Sequence, residues 1–184
     1  MDSVAESTSP RAFAVTFLLF AVMLFAGNIY AEISNALLFY RTIFTIWMTI
    51  VLLIPASFLY LAGRENHWFR WLWTFAFVAF LVHFYFAVGE NHHFSIASVY
   101  AKQGWFTASY NFFITVTWIV FTVMLWRNPR QYVLFKHAFV LLLLAGMLVA
   151  SIGLKDGIVS GLGGLLIVAI IAGIVMRFRK DRSA

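Results

Sequence analysis

The sequence predicts an all-α, polytopic integral membrane helix bundle of six transmembrane helices with both termini cytoplasmic, and three observations predict it. Of the 184 residues, 63% are apolar and 11% charged, and mean hydropathy is +0.90. A soluble domain is nearer about 45–50% apolar and about 25% charged. Charged residues cut the chain into six apolar runs, each long enough to cross about 30 Å of hydrocarbon as a helix. Lysine and arginine fall unevenly between the segments that join those runs. This composition excludes a soluble enzyme, a disordered tail and a nucleic-acid module.

The runs read in order as one membrane domain over 1–184, with cytoplasmic tails at 1–10 and 178–184. Span one covers 12–31, between Arg11 and Glu32. Span two covers 42–63, between Arg41 and Arg64. Span three covers 71–89, between Arg70 and Glu90. Span four covers 106–126 and stops at Arg127. Span five covers roughly 138–154, between His137 and Lys155, and span six covers 157–176, between Asp156 and Arg177. The runs are continuous rather than alternating, which selects helices over a barrel. The first run also has the apolar core of a signal peptide, with Ala31 beside the cleavage position as the alternative. Its length and the acidic Asp2 and Glu6 ahead of it favour a retained span.

Orientation follows from the basic residues. With the N-terminus inside, the inner segments hold Arg11, Arg64, Arg70, Arg127, Arg130, Lys136, Arg177, Arg179, Lys180 and Arg182, against Arg41, Lys102 and Lys155 outside. That is a positive-inside distribution. The net charge of +6 is therefore a topology signal. The chain has no cysteine, which excludes disulfides and thiolate-bound zinc or iron–sulfur clusters. Trp68, Trp71, Trp73, Trp105 and Trp126 near span ends suit an aromatic belt, while Trp47 and Trp118 lie deeper and read as packing residues.

Small and polar residues mark packing faces, because bulky apolar side chains are equally well solvated by acyl chains. Ala76, Ala79, His83, Ala87 and Glu90 form such a stripe on span three, leaving Phe75, Val78, Val82 and Tyr85 on the other side. Ala108, Asn111, Thr115, Trp118 and Thr122 do so on span four, and Ala21, Asn28 and Glu32 on span one. Gly146, Ala150 and Gly153 on span five and Gly157, Gly161 and Gly164 on span six suggest a close-packed hairpin turning at 154–156, with dimerisation as the alternative.

His83 is the clear ionisable residue inside a span, and such residues are functional candidates by default. It lies about 9 Å below the outer boundary at Gly89, taking about 1.5 Å per residue. Asn28 and Asn111 sit at similar depth, with Glu32, Glu90, His92 and His93 just above. Three readings compete. In the first, His83, His92 and His93, with Glu32 and Glu90, ligate zinc, copper or iron, although no established ligand spacing is present. In the second, Asn28, Glu32, His83, Glu90, Asn111 and Thr115 line a polar pocket for a small ligand or lipid headgroup. In the third, His83 only hydrogen-bonds to neighbouring helices. A haem clamped by His83 and His137 disagrees in depth by well over 10 Å on the same rise per residue. His137 reads as an interfacial residue beside lipid phosphates. The connection from Glu90 to Trp105 suggests a short surface helix capped by Asn91, able to roof the pocket.

The expected function is a non-catalytic accessory or ligand-binding subunit with an outward pocket centred on His83. A small transporter or ion carrier, and a metal- or haem-binding redox protein, stand as alternatives. The expected partners are the lipid bilayer and other membrane subunits, with no nucleic acid, and the expected location is the cell membrane.

Overall fold

The computed structural model describes residues 9–127, 133–153 and 157–182. Among these residues the chain is all helical and contains no strand. The helices are α1 (Pro10–Ile33), α2 (Leu37–Leu61), α3 (His67–Phe84), α4 (Ile96–Gln103), α5 (Trp105–Arg127), α6 (Val133–Leu148) and α7 (Ile158–Arg182). A π-helical segment, Tyr85–Glu90, continues α3, and a second, Val149–Gly153, continues α6. Six of these helical stretches are long and apolar enough to cross a membrane, which is the architecture of a multi-pass membrane protein. The expected turn at 154–156, the residues 1–8 of the N-terminal tail and the last residues 183–184 lie outside the described residues.

Several helices run past the charged residues expected to bound them. α2 begins a full turn before Thr42 and contains Arg41, because the Arg41 guanidinium is paired with Glu32 at 2.5 Å. α6 begins before Lys136, whose ammonium is paired with Glu65 at 3.2 Å. A paired charge does not have to end a helix, since its partner replaces much of the lost hydration. Local caps set three of the other starts. Ser9 accepts from Ala12 N–H at the head of α1, Asn66 from Phe69 N–H at α3, and Ser95 from Ser98 N–H at α4. Asn91, the expected cap, instead belongs to the end of the preceding helix and donates to Thr42 Oγ1.

α2 and α3 form the centre, with α1 against both, α5 against α3, and α7 chiefly against α2. Being central, α3 is buried on both sides. Ala76 and Ala79 are inside as expected, but so are Phe75 and Trp73, the first expected toward lipid and the second in the aromatic belt. Trp73 packs on Trp118, Phe121 and Phe139 at ring separations of 5.6, 4.8 and 6.3 Å. These rings, drawn from α3, α5 and α6, plug the half of the bundle nearest the chain termini.

The glycine hairpin is only partly realised. A Cβ at Gly163 would lie 2.6 Å from Ser151 Oγ, so α7 does approach the end of α6 there. Gly161 and Gly164 face open space, and Gly146 faces Tyr110 of α5 instead. The most extensive packing of α7 is against α2, where a Cβ at Gly173 would lie 2.9 Å from both Leu61 Cβ and the Phe58 carbonyl. Gly173→Val is therefore expected to push α7 from α2 and to destabilise the protein by about 1–3 kcal/mol. Gly161→Ala meets nothing and should gain up to about 1 kcal/mol from helix propensity. Thermal unfolding in detergent checks both; equal effects would contradict this packing.

Candidate functional site

The half of the bundle away from the termini is not plugged. There α2, α3, α4, α5, α6 and the start of α7 enclose a cavity of about 360 Å³. Its floor includes Phe80, which stacks on Trp118 at 5.1 Å. Ile43, Ile46 and Ile50 form an apolar wall, and Val99 and Gln103 of α4 roof it. A short helix is thus present in the connection where one was expected, and it covers the pocket. Both π-helical segments border the cavity, one through Ala87 and Val88 and the other through Ala150 and Ser151. A π-turn adds a residue to the helix and re-aims the side chains after it, and such turns recur at functional sites.

His83 lines this cavity from α3. Its Nδ1 lies 2.9 Å from the main-chain carbonyl of Thr42 on α2. A carbonyl only accepts, so Nδ1 carries the proton and, in the neutral ring, Nε2 is left with its lone pair. Thr42 is itself fixed: its hydroxyl donates to the Leu38 carbonyl at 2.8 Å and accepts from Asn91 at 3.2 Å. Across the cavity, Asn111 Nδ2 donates to Gln103 Oε1 at 3.0 Å. That bond leaves Asn111 Oδ1 and Gln103 Nε2 to turn toward a ligand, and Thr107 adds a hydroxyl. No aspartate, glutamate, lysine or arginine lines the cavity among the described residues.

The other expected site residues fall elsewhere. Thr115 is buried and its hydroxyl returns to the Asn111 carbonyl at 2.7 Å, one turn below the polar group. Asn28 is half-buried, donates to the Leu24 carbonyl at 2.9 Å, and borders a separate, much smaller recess between α1 and α2. The buried face of α1 runs through Ala12, Thr16, Phe20, Gly27 and Ala31, so the expected stripe through Ala21, Asn28 and Glu32 is displaced around the helix. Glu32 is exposed and committed to Arg41, and Glu90 is exposed and does not line the cavity.

The histidines do not assemble a metal centre. Among the described residues, no three histidine, cysteine, aspartate or glutamate side chains converge. His92 is buried with Nδ1 3.0 Å from Ser98 Oγ, which ties the loop to α4. His93 is exposed and, like Phe94, adopts a left-handed backbone, with φ of 50° and 55°. That turn sets the Phe94 ring against Gly89, where a Cβ would lie 2.6 Å from it. His137 is at the opposite end of the bundle from His83, half-buried and hydrogen-bonded through Nδ1 to the Tyr60 hydroxyl.

Sequence reasoning missed the polar groups at that opposite end. Beside the Tyr60–His137 bond stand the Lys136–Glu65 pair, a buried Arg70, and Trp126 Nε1 donating to Thr74 Oγ1 at 2.9 Å. The available signal was Glu65, the acidic residue between Arg64 and Arg70, placed to meet a cation from another helix. Comparison with known protein families, with curated proteins and with solved structures returned no match.

Two outcomes follow from these contacts. Glu65→Gln strands the Lys136 ammonium, which is only 2% exposed, whereas Lys136→Met leaves Glu65 32% exposed and able to hydrate. The first should cost more, about 1–3 kcal/mol, less than a fully isolated buried charge because Lys136 has a further partner in the chain. Denaturation of the two variants side by side reads the asymmetry. At the cavity edge, a methyl at Gly146 would overlap the Tyr110 hydroxyl, which donates to the Leu142 carbonyl at 3.1 Å. Gly146→Ala should cost about 1–2 kcal/mol alone and much less in a Tyr110→Leu background. Additive effects in that double-mutant cycle would mean the two residues do not meet.

Proposed function

We propose that this chain is a small accessory membrane subunit that binds an uncharged amphipathic ligand, without performing chemistry on it. The cavity carries this reading. Its volume lies within the range of small-molecule sites, and its walls are mostly apolar with a few convergent polar groups. The polar groups are matched to a neutral molecule, since no charged side chain among the described residues would balance an ionic one. Nε2 of His83 accepts from a ligand hydroxyl or N–H, while Gln103 Nε2 and Asn111 Oδ1 hold a second polar atom. The aromatic plug below the floor favours binding over transport, because a carrier needs a continuing polar path. In this proposal the positive-inside distribution puts both termini in the cytoplasm of a cell-membrane protein, so the cavity lies in the outer leaflet half.

Purification in mild detergent, solvent extraction and mass spectrometry test this reading. The wild-type protein should carry a neutral small molecule near stoichiometry. Ala87→Trp, which fills the cavity, should lose it. His83→Ala should retain roughly a tenth, the equivalent of about 1–1.5 kcal/mol for one hydrogen bond. An identical extract from wild type and Ala87→Trp would refute binding in this cavity.

A further inference from the structure

A second recess lies at the opposite end of the bundle, between the end of α2 and the last turns of α7. It has a volume of about 280 Å³ and is lined by Ala62, Arg64, Met176, Arg179 and Lys180. Gly63 creates it. With φ of 68°, Gly63 terminates α2, its N–H donating to the Tyr60 carbonyl and that of Arg64 to the Leu59 carbonyl. The chain is thereby turned so that Arg64 stands beside α7. Gly173, by admitting α7 against α2, brings Arg179 to the same place.

The charge there is one-sided. No described residue pairs with the guanidinium of Arg64 or Arg179, and Lys180 adds a third positive charge although it is also engaged within the chain. Asp181, two residues beyond Arg179, points about 200° around the helix and does not line the recess. The floor is apolar, through Ala62 and Met176. Directly along α7 from Arg179, at steps of four, four and three residues, lie Val175, Ile171 and Val168, all exposed. Cations at the helix end above an uncovered aliphatic strip present the chemistry of a diacyl phosphate: a headgroup for the arginines and acyl chains for the strip.

We infer that this recess is a binding site for the headgroup of an anionic phospholipid in the leaflet that faces the chain termini. Arg64 and Arg179 clamp the phosphodiester from two different segments, and the strip on α7 seats an acyl chain. The site is separate from the cavity at His83 and does not depend on what that cavity binds.

The test uses the full chain in nanodiscs of phosphatidylcholine doped with phosphatidylglycerol, with native mass spectrometry of the released protein. Wild type should retain phosphatidylglycerol in preference to phosphatidylcholine. Arg64→Gln with Arg179→Gln should lower that preference roughly thirtyfold, in line with two interfacial cations. Arg64→Lys with Arg179→Lys should largely keep it. Both positions are exposed, and an unchanged thermal transition establishes that the variants fold. Arg11→Gln with Arg182→Gln removes the same charge at the same end outside the recess and should leave the preference intact. Equal loss in that control overturns the proposal, because the attraction would then belong to the basic end at large. Displacement of the lipid by millimolar inorganic phosphate also overturns it, since the recess would then be a free-anion site. No preference in the wild type does the same.

Discussion

The hydrogen bond between His83 Nδ1 and the Thr42 carbonyl is the constraint on which the half of the structure away from the termini depends. It joins the two central helices at the level where the aromatic packing gives out, and it fixes which face of the imidazole looks into the cavity. In water such a bond contributes about 1 kcal/mol; in an interior without water, an imidazole N–H left unmet would cost more than that. The bond therefore acts less as glue than as a choice of tautomer. A proton on Nδ1 makes Nε2 an acceptor, and the cavity inherits a defined polarity from a main-chain atom of another helix.

Below that level the bundle is closed by aromatic rings. Trp73 and Trp118 are fully buried, and their indole N–H groups have no hydrogen-bond partner among the described residues, which normally disfavours tryptophan in a core. Their area of contact with Phe80, Phe121 and Phe139 offsets that cost. The plug divides the molecule into two ends with different chemistry: an uncharged cavity at one, and paired or clustered cations at the other. The two π-helical segments are the mechanical complement of the plug. They continue α3 and α6 where the rings stop, and both border the cavity.

Within the candidate site, His83 was legible because an ionisable residue in an apolar run stands out, and Asn111 because it shares a helical stripe with Ala108 and Trp118. Gln103, Thr107 and Ser151 were not legible, since polar residues near a span end are ordinary there. Glu32 and Glu90 were misplaced by the assumption that residues at one depth meet. Depth fixes one coordinate of three; the rotation of each helix and its neighbours fix the others. Arg41 illustrates the point, because it takes Glu32 away from any pocket.

The sequence by itself determined the number of apolar helices and their approximate limits, because hydrocarbon thickness and backbone hydrogen bonding leave a long apolar run little other choice. Only the tertiary structure decided which helix is central, which glycines meet a neighbour and where the π-turns fall. Those outcomes depend on contacts between residues far apart in the chain, such as Gly173 with Phe58 and Lys136 with Glu65. Periodicity along one helix carries no record of its partner, so both the cavity and the basic recess come into being only when α2 has α3 on one side and α7 on the other.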